Sequence, residues 1–119
     1  MIRVVNVSDK EHDVFVEKHP NGSIFQLTNW GRLKEIHNWK WKKVDVGDED
    51  GNITGAALLL FKKIPKLNLS FCYGLRAFVV DWNDEESVKA ITEAAIEEAR
   101  KNKAITLRID PDIDEEDAL

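Results

Sequence analysis

Several charged and aromatic side chains stand at spacings that could support chemistry. Gln26, Trp30 and Lys34 lie four residues apart, so a continuous helix would carry all three on one face. Trp39-Lys40-Trp41-Lys42-Lys43 interleaves rings with ammonium groups, a pattern that can stack and neutralise single-stranded nucleic acid. The same five residues also read as an edge strand, with tryptophans turned inward and lysines outward against aggregation. Metal binding finds little support, because His12, His19 and His37 are scattered and Cys72 has no partner cysteine. Asp110 to Asp117 alternates acids but lacks the glycine and terminal glutamate of a calcium loop, and reads as a solvated acidic stretch. No nucleophile-elbow sequence supports a Ser/His/Asp system.

These side chains must be positioned by a domain whose centre is the stretch from Ile53 to Trp82. Its first arm, Ile53 to Phe61, is apolar on both faces, as a strand buried beneath helices must be. The second alternates Leu67, Leu69, Phe71, Tyr73 and Leu75 and runs on to Asp81, so the two arms form an antiparallel pair in the middle of a sheet. Before them come a first strand in Ile2–Val7 and a helix opened by the capping box Ser8-Asp-Lys-Glu11, with Val14 and Phe15 directed inward. His19-Pro20-Asn21-Gly22 forces a turn. A second helix lies within Ser23–Asn38, capped by Ser23 or Thr28, with Trp30, Leu33 and Ile36 at helical spacing. Gly31 costs that helix roughly 1 kcal/mol against alanine, which points to a close approach there. Trp39–Val46 is a strand and Gly47–Asn52 an acidic hairpin turn. The clearest helix spans about Asp84 to Lys101, burying Val88, Ile91, Ala95 and Ala99, and a final strand runs from Ala104 to Ile109.

With 119 residues, 43% of them apolar, the chain is one α+β domain with a proper core. A net charge of −5 argues against a dedicated DNA binder. The lone Cys72 in an apolar strand fits a reducing compartment, and no apolar run reaches bilayer length. The expected location is therefore cytoplasmic, with at most peripheral membrane contact.

The element order β-α-α-β-β-β-α-β resembles the N-terminal two-thirds of a GNAT-type (acyl-CoA N-acyltransferase-like) mixed sheet, incomplete at its C-terminus. The last strand, reached through a helix, should lie parallel to the strand before that helix. Such enzymes hold the CoA pyrophosphate on bare amides of a glycine-rich turn at a helix start. Here that turn is Val80-Asp81-Trp82-Asn83-Asp84-Glu85-Glu86, which has no glycine and four carboxylates that would repel a pyrophosphate. No cofactor is expected.

Three local patterns resemble the Fem family of peptidoglycan bridge-forming aminoacyltransferases. Gln26-Leu-Thr-Asn-Trp30-Gly-Arg-Leu-Lys34 is similar to that family's Gln-Thr-x-x-Trp-x-x-Val-Lys helix. Tyr73-Gly-Leu-Arg76-Ala-Phe-Val-Val-Asp81 resembles its Tyr-x-Pro-Arg-Gly-Pro-Val-x-Asp strand, and Leu107-Arg108-Ile109-Asp110-Pro111 its Leu-Arg-Ile-Asp-Pro segment. The resemblance runs from about Val14 to Asp112. It departs at Leu75, Ala77 and Phe78, which replace proline, glycine and proline and so bear on local backbone shape.

The resemblance implies a transferase that moves an amino acid from aminoacyl-tRNA to the stem peptide of a UDP- or lipid-linked muropeptide, without CoA. Lys34 would then contact the precursor's diphosphate, the alternative being an ordinary surface lysine after a packed Trp30. Tyr73 would hydrogen-bond substrate or simply pack, and Arg76 would pair with a substrate carboxylate or phosphate or form a structural ion pair. Asp81 and Asp110 end strands, where functional carboxylates lie, although Asp81 could cap the next helix and Asp110 start an Asp-Pro turn. Catalytic residues are not assigned. Because Fem proteins are built from two GNAT-like halves, residues 1–112 read as an N-terminal subdomain and residues 113–119 as an acidic tail or truncation point. Such a piece is expected to be inactive alone, with an open sheet edge prone to dimerise. The rivals are a stand-alone binding module on the same fold and, third, a CoA-dependent acyltransferase.

Overall fold

The structure, a computed structural model, describes residues 1–110; the acidic stretch at residues 113–119 lies outside the described residues. Its elements run β1 (Arg3–Val4), α1 (Asp9–Lys18), a single 3-10 turn (Ile24–Gln26), α2 (Thr28–Glu35), β2 (Lys40–Gly47), β3 (Ile53–Lys63), β4 (Ser70–Leu75), β5 (Val79–Val80), α3 (Glu85–Lys101) and β6 (Ala104–Asp110). The six strands form one sheet in the order β1-β2-β3-β4-β6, with β5 pairing to β3 beside β4. The expected central antiparallel pair is β3 with β4, and β6 returns parallel to β4 as the helical crossover requires.

Hydrophobic alternation sets which face each helix covers. Val44 and Val46 of β2, Ala57, Leu59 and Phe61 of β3, and Cys72 of β4 share one face and pack with Ile91, Ala94, Ala95 and Ala99 of α3. On the opposite face Ala56 packs with Val16 and Val79, and the side chains of Phe15 and Leu27 lean against them. Here α1 and α2 pack on β2 and β3. No helix among the described residues covers β4 and β6 on that second face, and Phe71 is 45% exposed. No helix among the described residues is long and apolar enough to cross a membrane.

Local chemistry fixes the ends of these elements. Ser8 and Glu11 form the expected capping box at α1, and Asp84 accepts from the Ser87 amide at the start of α3. Ser23 caps only the 3-10 turn. The N-cap of α2 is Leu27, which has no capping side chain; Asp13 of α1 accepts from the Thr28 amide (2.8 Å) and hydroxyl (2.6 Å) instead. The close approach foreseen at Gly31 is to Trp41, whose ring would lie 2.6 Å from a Cβ at that position.

Five expectations need correcting. The second helix is broken at Leu27, so Gln26 does not share a helical face with Trp30 and Lys34. Along α1 the buried residues are His12 and Val16, while Val14 is exposed. Leu33 and Ile36 of the α2 region face outward, because the side of α2 that meets the sheet is the one bearing Thr28 and Gly31. Trp39–Val46 is an edge strand over its first half only: among the described residues β1 pairs with β2 at Val46 and Gly47, which leaves Lys40–Lys43 unpaired on that side, with Trp41 half-buried and Lys40 and Lys42 exposed. The long second arm is two strands rather than one: β4 ends at Leu75 and β5 begins at Val79, with Arg76 between them at a left-handed φ of 58°.

Candidate substrate-binding face

The splitting of β4 from β5 leaves a gap beside β3, and one side chain closes it. Gln26 is fully buried. Its Oε1 accepts from the Leu58 amide (2.7 Å), and its Nε2 donates to the carbonyls of Leu75 (2.8 Å) and Leu58 (3.3 Å). The side-chain amide thus supplies the donor and acceptor that a neighbouring strand would have offered. Gln26 is held from behind by His12, whose Nε2 donates to the Gln26 carbonyl (2.8 Å) while Nδ1 meets Asp45 Oδ1 (2.7 Å). A carbonyl and a carboxylate both accept, so each ring nitrogen is placed to donate, an arrangement that favours the imidazolium. Burial alone would lower its pKa, but the hydrogen bond and charge of Asp45 outweigh that and hold it above the ordinary value.

Beyond this anchor α2 carries Lys34 to the border of the uncovered face. Its Nζ lies 5.1 Å from the Trp30 ring centroid and 5.8 Å from that of Trp39. Lys62, at the end of β3, also lies 5.5 Å from the Trp39 ring centroid and donates to the His37 carbonyl (3.0 Å). Two ammonium groups therefore share one tryptophan, with no carboxylate paired to either among the described residues. Two ammonium groups so placed can attract an anion, and the half-buried Lys34 is the better held of the two.

Register brings the remaining candidates to the same face. Tyr73 pairs with Leu60 on one side and Arg108 on the other, and the Arg108 guanidinium lies 6.0 Å from the Tyr73 ring centroid. Asp110 pairs with Leu75, next to Arg76, so Tyr73, Arg76, Arg108 and Asp110 cluster at the C-terminal ends of β4 and β6. No contact among the described residues joins Lys34 to this cluster; Trp41, beneath α2, and Tyr73 flank Leu60 on successive strands. Asp81 stands apart. Its Oδ1 accepts from the Asn83 amide (3.0 Å) in the turn into α3, and Asp84 rather than Asp81 caps that helix. Arg108 and Lys62 were missed as candidates: Arg108 lay within a matched motif and Lys62 read as part of a turn, whereas Trp39 stands in the ring-and-lysine pattern weighed above for nucleic acid.

The described residues contain no group of three side chains able to hold a metal. Burial, with the charge of Glu98, pushes the Cys72 thiol up to about 12, which removes it as a nucleophile. At the start of α3, Asp84, Glu85 and Glu86 surround the amides that would have to hold a pyrophosphate, so the residues present do not fit CoA.

The family model for the FemAB family matches residues 7–118. The chain belongs to the FemAB family. A Lipid II:glycine glycyltransferase of Staphylococcus aureus (strain bovine RF122 / ET3-1) is 44% identical over 110 residues, which is 92% of this chain and 26% of that protein. The chain thus spans about a quarter of the length of the curated FemAB relatives it matches. A crystal structure of FemX superposes with a TM-score of 0.91 at 40% identity, covering 98% of this chain and 29% of that one. A GNAT family acetyltransferase of Staphylococcus aureus superposes with a TM-score of 0.61 at 17% identity, covering 95% of this chain and 87% of that one. The GNAT-like mixed α+β fold of this FemAB chain is thereby established.

Proposed function

We propose that this chain forms the N-terminal, GNAT-like part of a peptidoglycan bridge-forming aminoacyltransferase. The observation that carries the reading is the 44% identity to a lipid II:glycine glycyltransferase over 92% of this chain. In this reading the acceptor is the stem-peptide amine of a UDP- or lipid-linked muropeptide and the donor an aminoacyl-tRNA, at the cytoplasmic side. The amine attacks the aminoacyl ester carbonyl; a C–N bond forms, the ester C–O bond breaks, and the proton lost by the amine ends on the departing ribose hydroxyl. The chain's contribution is positioning and charge. Lys34, cushioned by Trp30 and Trp39, holds the diphosphate. Tyr73, Arg76 and Asp110 border the peptide, and Asp81 contributes through the turn it shapes.

Calorimetric titration with a UDP-linked muropeptide tests the assignment. Lys34→Ala should weaken binding about tenfold, the loss of one charge-assisted contact. Equal affinity of the two chains would remove Lys34 from the site. Saturable binding of CoA instead would move the protein to the acetyltransferases. On its own the chain should show no transfer activity.

A further inference from the structure

We propose that one end of the sheet docks this chain on an anionic lipid bilayer. The FemAB assignment is not needed for this inference, which rests on how the topology sorts charge. The α2–β2 loop, the β3–β4 turn and the α3–β6 loop meet at one end of the molecule, around a depression of about 180 Å³ lined by Asn38, Lys40, Lys63, Leu69 and Lys103 among others. Lys40, Lys63, Lys66 and Lys103 all belong to this end, and none has a carboxylate partner among the described residues. The opposite end of β3, roughly 33 Å away, carries Asp48, Glu49 and Asp50 in the hairpin and Asp84, Glu85 and Glu86 at the start of α3. A chain with net charge −5 thus presents a cationic end.

Aliphatic side chains protrude among those lysines. Ile36 is 75% exposed, Leu67 51% and Leu69 38%. Lysines around protruding aliphatic groups, with the half-buried Trp39 beside them, suit the boundary between headgroups and acyl chains. A nucleic acid would gain from the lysines but nothing from Ile36 and Leu67, which neither stack nor hydrogen-bond. Each lysine near such a surface adds to the attraction, and the acidic end is turned away from it.

Co-sedimentation of the whole chain with vesicles tests the proposal, comparing pure phosphatidylcholine with vesicles containing about a third phosphatidylglycerol. Binding only to the anionic vesicles, weakened by salt, is expected. Reversing three charges, in Lys40→Glu/Lys63→Glu/Lys66→Glu, should lower the partition coefficient on the order of a hundredfold. Ile36→Ser/Leu67→Ser, at exposed positions where folding is not at stake, should lower it about tenfold. Failure to bind, equal binding to both vesicles, or indifference to both variants would overturn the proposal. Tighter binding to an RNA hairpin than to vesicles, lost in the lysine variant and kept in the Ile36/Leu67 variant, would assign this end to nucleic acid instead.

Discussion

His12 owes its charge to what surrounds it: a carbonyl on one ring nitrogen and a carboxylate on the other, with Lys43 3.8 Å from the far oxygen of Asp45. Its pKa is raised in the folded chain, so its contribution to stability is fully present below the unfolded value near 6.5 and is lost as pH rises through the folded value. Thermal melts should therefore show a midpoint falling on the alkaline side, and a His12→Gln/Asp45→Asn chain should lack that dependence. Removing one partner alone, as in Asp45→Ala, leaves a buried cation without its counter-charge and should cost about 3 kcal/mol in denaturant unfolding. Gly31→Ala would drive a methyl into the Trp41 ring and should cost about 2 kcal/mol, partly regained when Trp41→Leu makes room. The Cys72 thiol, pushed up to about 12, should resist alkylation at neutral pH until the chain is unfolded.

At the scale of elements, much was written locally. The capping box at Ser8, the alternation of β3 and the stripe of α3 are short-range patterns, and each element formed where they stand. Replacing Ser8 with alanine should cost about 1 kcal/mol, read from the same melts. Lys34 and Tyr73 were singled out because the motifs that hold them are short and local, and the structure sets both beside the sheet residue Leu60 or the tryptophans that flank it. The break before α2 was not, since the group that caps Thr28 is Asp13 of another helix, fifteen residues away in sequence. Reading through that break put Gln26 on the face of Lys34, when its amide is instead spent inside the sheet. The outward turn of Phe71 was equally hidden, because alternation fixes two faces without saying which one a helix will cover. Gln26→Glu, which trades the donating amide for a second acceptor opposite two carbonyls, should destabilise by about 3 kcal/mol or prevent folding.

For the whole molecule, composition gave the net charge but not its arrangement; the path of β3 and α3 sets Lys40, Lys63, Lys66 and Lys103 at one end and the acids of the β2–β3 hairpin and of the α3 start at the other. Among the described residues the sheet also keeps an unpaired edge at β6 and an uncovered face over β4. Sedimentation should find the chain self-associating at high concentration, and a lysine placed on that face by Phe71→Lys should reduce it. The Gln26 bridge also bears on how the molecule opens. The Leu58 amide proton sits in mid-strand yet is held by a side chain from the 3-10 turn, so it can exchange with solvent only when that turn lifts away. Its exchange rate therefore reports on the packing of the turn against the sheet, while its neighbours in β3 report on the sheet alone. One amide in deuterated buffer thus distinguishes loosening of the site's support from unfolding of the domain.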